Sequence, residues 1–306
     1  MIERNHINRE VFSMERMLYE SVDRERRLQG ALSMGTLKEK RRYMFGARKE
    51  EVVLRLPKDL TSTSGSYVLI GDPDYPPLLY DLASPPLLLY YEGQKELLEG
   101  YTVGVVGARK VSGYGRKITA MISAMLAKEQ FTLISGGARG VDGIVHQESL
   151  NHQGGCVCVL GCGLDVAYPK EHEKLFSAIK EKGLLLSEYP MGFQPEKWTF
   201  PMRNRLIAAL SREIVVTEAS SKSGSLHTAT YGEEMNRLLH AVPHEAELPL
   251  HQGTNELIEM GAQILYNSRD FLRDISFRQR LYEEAYEART GKKVLYRQKE
   301  EGSRRR

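Results

Sequence analysis

The chain carries 306 residues, 41% of them hydrophobic and 27% charged, with a formal net charge of +3. These are the proportions of an ordinary water-soluble globular protein, long enough for one large domain plus a small one. No apolar run approaches the ~20 residues that cross a bilayer, and the opening MIERNHINRE lacks the apolar core of a secretory signal, so a cytoplasmic protein with no membrane partner is expected.

Residues 1–64 read as a highly charged, helical N-terminal region, with NREVFSMERMLYESVDRERRLQGAL as its clearest helical stretch and KEKRR as a basic cluster. TSTSGS at 61–66 reads as a linker or turn. The following DPDYPPLLYDLASPPLLLYYEG holds two Pro-Pro pairs, which exclude a regular helix and leave an extended arm with a short helical turn. From Tyr101 the rhythm changes. Strand-length apolar runs (YTVGVVGA, FTLISGG, CVCVLG, GLLLSEYP, EIVVTEA, LLHAVP, AQILYN) alternate with helix-length segments near 113–129, 140–152 and 170–182, then WTFPMRNRLIAALS and SLHTATYGEEMNR. Continuous Val/Ile/Leu runs mark strands covered on both faces. The alternation predicts an α/β fold with a doubly wound, mostly parallel, Rossmann-like sheet. The expected organisation is therefore a helical N-terminal region at 1–64, a Rossmann-like domain at 65–275 that includes the Pro-rich arm, and a helix plus basic tail at 276–306.

Charge is concentrated at that end. From Arg289 onward eight basic residues face only Glu300 and Glu301, so the tail is +6 and the rest of the chain −3. Any nucleic-acid binding by the body must therefore rest on a local patch. Cys156, Cys158 and Cys162 fall in one short segment, GGCVCVLGCG. An odd, clustered count fits a reducing compartment and core packing better than a disulfide framework or a zinc site, and no metal is expected.

In a doubly wound sheet, ligands bind beyond the carboxyl ends of the strands, and here those ends carry GARKVSGYG, SGGARGVD, GCGLDVAYPK and EASSKSGS. One glycine-rich turn is merely a tight connection. Four along one edge, with basic neighbours, point to an anion: glycines let backbone N–H groups approach a phosphate, and helix N-termini add a positive dipole end. The candidate phosphate or DNA contacts are Gly107, Arg109, Lys110, Ser112, Ser135, Gly136, Gly137, Arg139, Gly161, Gly163, Lys170, Ser223, Gly224 and Ser225. Lys222 lies in the same loops, and the serines are placed to cap helices or donate to phosphate oxygens. Arg203, Asn204 and Arg205 add a helix start rich in donors, beside Trp198 and Phe200 that suit base stacking. Asp142, Asp165 and Glu218 are expected to shape the pocket, with Asp142 capping backbone donors and holding Arg139. The first loop is not the G-x-G-x-x-G of dinucleotide binding, and no G-x-x-x-x-G-K-[ST] occurs. NAD chemistry and P-loop hydrolysis are thereby disfavoured, and no cofactor is expected.

Taken together, VGVVGARKVSGYG, LISGGARGVD with His146, LGCGLDVAYPKEHEKL, LLSEYPMG, FPMRNRLIAALS, VVTEASSKSGSLHTA and QGTNELIEMGAQIL resemble the DprA/Smf family of DNA-processing proteins, in family order over roughly residues 67–267. The resemblance implies a non-enzymatic protein that binds single-stranded DNA in a basic pocket. It also implies that the protein helps load the recombinase RecA, acts as a homodimer, and serves recombination and natural transformation. It places DNA contact first on Arg109 and Lys170, then on Arg139, Arg203 and Arg205. The chain departs from the family where Pro243-His244 replaces Pro-Gly, Thr199-Phe200-Pro201 replaces Asn-Phe-Pro, and Asn236 replaces a glycine. With only about 30 residues after the core, the winged-helix domain that many relatives carry is not expected in this sequence.

Ser135, Asp142 and His146 have the residue types of a nucleophile, orienter and base, but structural roles are expected and no catalytic residue is assigned. A nucleotide-processing hydrolase, or a sensor of a nucleotide-derived ligand on the same fold, is the alternative reading.

Overall fold

In a computed structural model, which describes residues 65–152, 154–245 and 251–294, the apolar runs beyond Tyr101 become the buried strands that their composition requires. The expected N-terminal helical region and the last residues of the basic tail lie outside the described residues. What is described divides into two units, one ending at Tyr90 and the other starting at Tyr91.

In the first unit, β1 (Ser66–Leu69) precedes a single 3-10 turn at Pro77–Asp81, the short helical turn expected between the Pro-Pro pairs. Asp72 closes the bend after β1 by accepting the Leu69 N–H at 3.0 Å, and the Tyr75 hydroxyl donates to the Pro86 carbonyl at 2.7 Å. Strand β2 (Leu88–Gly93) carries the chain into the second unit.

The second unit runs β3 (Thr102–Val106), α1 (Gly113–Lys128), β4 (Thr132–Ser135), α2 (Val141–Asn151), β5 (Gly155–Leu160), α3 (Glu173–Lys182), β6 (Leu184–Ser187), α4 (Thr199–Leu210), β7 (Glu213–Val216), α5 (Gly224–Glu234), β8 (Leu238–Ala241), α6 (Gln252–Glu259), β9 (Gln263–Ile264) and α7 (Ser268–Thr290). Its strands lie in the order β6-β5-β4-β3-β7-β8-β9, and each neighbouring pair is parallel. The helix expected from about 170 instead begins as a 3-10 turn, Lys170–His172, because Pro169 sets the entry and α3 proper starts only at Glu173.

This order fixes where a ligand can sit. Strand β3 is central; the chain adds β4, β5 and β6 on one flank, then returns to lay β7 on the other, with Val105 opposite Val215. The direction of winding reverses between β3 and β7, which is the switch point where the following loops splay apart and open a crevice. Beneath it, Val103, Val105, Leu133, Ile134, Val157 and Val215 are fully buried. Ile122 and Leu126 of α1, Val141 and Val145 of α2, and Phe271 and Ile275 of α7 pack into the same core.

At the amino-terminal ends of the central strands a polar knot ties α7 to the sheet. Glu213, whose side chain is 2% exposed, accepts from the Tyr101 hydroxyl at 2.6 Å and from Arg278 at 2.7 and 2.9 Å, and lies 2.7 Å from His240 Nε2. The Arg212 guanidinium stacks 3.6 Å from the Tyr282 ring centroid. Asn236, where the family usually has glycine, sits at φ +55°, the left-handed region that glycine enters freely and asparagine tolerates.

Candidate nucleic-acid interface

The first loop leaves β3 at Gly107 and ends at Ser112, whose side chain caps α1 by accepting the Gly115 N–H at 2.9 Å. Neighbouring loops brace it on both sides. The Ala108 N–H donates to the Glu218 carbonyl at 2.8 Å, and the Ala108 carbonyl accepts from Val141 N–H at 3.1 Å. Glu218 also accepts from the Ser112 N–H at 2.9 Å and hydroxyl at 2.5 Å, so it shapes the loop as expected. Such close packing explains Gly107: a Cβ there would lie 2.7 Å from Val141 and 2.8 Å from the Glu218 carbonyl. Thus braced, the loop projects Arg109, whose guanidinium stands 5.2 Å over the Phe200 ring.

The second loop, after β4, turns through Gly137 and Gly140, both at positive φ. Asp142 accepts the Ala138 N–H at 3.1 Å. The buried Arg203 reaches from α4 to donate to the carbonyls of Gly136 and Val159, the latter at 2.5 Å. The third loop, after β5, is held by Asp165, which accepts from Gly192 N–H at 2.7 Å, and by Gly163 N–H donating to the Phe193 carbonyl at 2.9 Å. It presents Tyr168, 45% exposed, with its ring 5.5 Å from Phe200.

These three loops and α4 enclose a cleft of about 460 Å³, open to solvent. Arg109 contributes from the first loop, Gly136, Ala138 and Arg139 from the second, Gly161, Cys162, Tyr168 and Pro169 from the third, and Phe200 and Arg203 from α4. One wall is therefore aromatic with an arginine over it, and the floor is glycine backbone. An unstacked base suits the first and a phosphate the second.

Of the expected contacts, Arg109, Gly136, Arg139, Gly161 and Arg203 line the cleft; Gly137 and Lys170 adjoin it in sequence, and Lys170 is exposed. Several expected contacts stand elsewhere. Arg139 pairs with Glu171 rather than Asp142; it is Arg203 whose charge bears on Asp142. Ser135 is fully buried, gives its hydroxyl to the Val105 carbonyl at 2.8 Å and does not line the cleft. The charge of Arg205 is taken up by Glu188 at 2.5 Å, with both side chains 7% exposed. The fourth loop does not line the cleft: Ser223 lies 2.8 Å from Ser225 at the start of α5, and Asn204 donates to the Gly224 carbonyl at 3.0 Å. Lys110, Ser112 and Gly163 likewise stand outside the lining. Trp198 packs edge-on against Tyr189 and Phe193 instead of the cleft. Sequence reasoning missed Tyr168 and Cys162. The only signal for Tyr168 was an aromatic between strand β5 and a basic residue.

Electrostatics separates struts from surface groups. Burial raises the Asp142 carboxyl, against the pull of Arg203, and burial lowers the Arg203 guanidinium. Burial also raises the thiols of Cys156 and Cys162 to about 12 and about 11, so both stay protonated, and lowers His146 to about 3. His146 Nδ1 lies 3.3 Å from the Cys156 sulfur. Ser135 hydrogen-bonds to Asp142, whereas His146 lies against Cys156 rather than either of them. Among the described residues no helix is long and apolar enough to cross a membrane.

Fold and cleft together define a Rossmann-like, doubly wound protein with an arginine-bearing, aromatic-walled cleft at its switch point. Comparison with known proteins sharpens this. The profile of the DNA recombination-mediator protein A family matches residues 66–276, and the chain belongs to that family. It is 42% identical to the Smf protein of Synechocystis over 205 residues, 66% of this chain but only 52% of that one. It is 38% identical to the DNA processing protein DprA of Streptococcus pneumoniae over 68% of this chain and 73% of the relative. Among solved structures, DprA of Streptococcus pneumoniae superposes with a TM-score of 0.66 at 37% identity, covering 69% of this chain and 74% of that one. DNA processing protein A of Helicobacter pylori, solved for its single-stranded-DNA binding mode, gives 0.64 at 33% identity, covering 69% and 96%.

Proposed function

We propose that this protein binds single-stranded DNA in the switch-point cleft and mediates recombination by delivering the strand to a RecA-type recombinase. In this reading it works as a homodimer, in the cytoplasm and without catalysing a reaction itself. The observation that carries the proposal is Arg109 poised over Phe200, beside the exposed Tyr168 and above a glycine-backbone floor. Cation, stacking face and glycine backbone line one cleft, a combination that suits single-strand binding. Arg109 and Lys170 would take phosphates first. Arg139 joins them by exchanging Glu171 for a phosphate, a small loss because an exposed ion pair is largely screened by water. Arg203 would hold the floor in shape. The basic tail would add sequence-independent phosphate contacts.

A single arginine over an aromatic wall also suits one nucleotide, so a nucleotide-derived ligand is the second reading. Fluorescence anisotropy with labelled single strands of increasing length, matched duplex and a labelled mononucleotide, each at two salt concentrations, separates the two. Strand binding requires affinity that climbs with length, falls steeply with salt and prefers single strands. Saturable mononucleotide binding with no gain from length overturns the proposal in favour of the small ligand.

A further inference from the structure

On the other side of the switch point from the cleft, three side chains from separate parts of the chain meet: Glu218 after β7, His244 after β8, and His251 at the start of α6. One donor atom from each lies within 4.8 Å of the other two. We propose that Glu218, His244 and His251 form a binding site for a divalent transition-metal ion of the zinc type, which clips these three segments together.

The state of each residue supports this. His251 is 8% exposed, and both of its ring nitrogens are buried without a hydrogen-bond partner. Buried polar atoms without a partner are unfavourable, so the ring is short of a ligand. Its Nε2 is 3.8 Å from Glu218 Oε2, too long for a hydrogen bond and suited to an intervening ion. His244 Nε2 lies 2.8 Å from the Thr217 carbonyl. That contact selects the tautomer with hydrogen on Nε2 and leaves the lone pair on Nδ1, the outer-shell arrangement that orients a metal-bound imidazole. The backbone of His244 is itself fixed by Asn255, which accepts the His244 N–H at 3.1 Å and donates to its carbonyl at 3.2 Å. Glu218 is fully buried and already oriented by Ser112, and a carboxylate bonded to two donors keeps acceptor capacity for a cation.

A tetrahedral zinc with ligands at ~2 Å requires donors ~3.3 Å apart, so groups now within 4.8 Å of one another need close by at most about 1.5 Å. Two imidazoles and a carboxylate form a donor set that zinc accepts, with the fourth position left to water. Pro243-His244 is one of the places where the sequence departs from the pattern it otherwise resembles. The alternative is a protonated His251 that faces Glu218 as a simple charge pair, still with both N–H groups unbonded.

The test uses the full chain, stripped with a chelator. Zinc is titrated against a chromophoric competitor, cobalt(II) is added in a parallel sample, and His244→Ala and His251→Asn are compared with wild type. Far-UV circular dichroism confirms that both variants are folded. The expected result is one ion per chain and visible cobalt bands of low coordination number without a sulfur charge-transfer band. Each histidine variant should lose 100-fold or more in affinity. Three results each overturn the site: no stoichiometric binding, binding that both variants retain, or a cobalt–sulfur band that would move the ion to the cysteines.

Discussion

Arg203 is expected to be a strut of the cleft rather than a ligand contact, and replacing it by leucine tests that distinction. The substitution removes the donors to the carbonyls of Gly136 and Val159 and the cation that bears on buried Asp142. Each carbonyl left buried and unpaired costs about 1–3 kcal/mol, and removing one partner from a buried charged group costs about 3–5 kcal/mol in all. Leucine recovers part of the packing, so a net loss of about 3–4 kcal/mol is expected. For a unit of this size that lowers the melting temperature by roughly 10 °C. Urea unfolding followed by circular dichroism measures it, with anisotropy on the same samples. Adding Asp142→Asn to Arg203→Leu removes the orphaned carboxyl and should restore part of the loss, a coupling that a double-mutant cycle resolves. Wild-type stability in Arg203→Leu, or strict additivity in the double variant, would refute the strut.

Arg109→Ala should do the reverse. Because Arg109 is exposed, stability should stay within about 0.5 kcal/mol of wild type, while the slope of log affinity for a single strand against log salt falls by about 0.7 for the lost phosphate contact. At Glu213, burial pushes the carboxyl up, but hydrogen bonds from His240, Arg278 and Tyr101 more than offset it and hold it at about 2. The depressed carboxyl stabilises the fold fully above the ordinary carboxylate range, and that contribution, roughly 3 kcal/mol, is lost as pH falls towards 2. Unfolding from pH 6 to pH 2 should therefore lose a large part of its acid dependence in Glu213→Gln. Asn236→Ala, at φ +55°, should cost about 1 kcal/mol by calorimetry, and Asn236→Gly should not.

The strands were legible because a both-faces-buried strand must be apolar throughout: VGVV, TLIS and EIVV announce themselves. Arg109, Gly136 and Gly161 were legible because glycine and cation followed such strands directly. What stayed hidden depends on which groups meet in space. Glu171 takes Arg139, and Glu188 takes Arg205, across separations for which no local pattern exists. Ser135 looked like a phosphate donor, yet the same residue ends a fully buried strand and must satisfy its hydroxyl there. Glu218, His244 and His251 share no spacing motif, since three different loops deliver them. RecA delivery and dimer formation rest on family resemblance and left no pattern of their own.

The central place of β3 has a consequence for how the molecule is made. Its register partner on one side, Leu133 opposite Val103, leaves the ribosome soon afterwards; its partner on the other side, Glu213, follows only after about 80 further residues. At ~5–20 residues per second, the future centre of the sheet spends about 4–16 s as a raw edge with unpaired backbone groups. The nascent chain is therefore most adhesive at the strand that will finally be best protected, and substitutions that weaken β7 should reduce the yield of soluble protein before they alter anything the finished protein does.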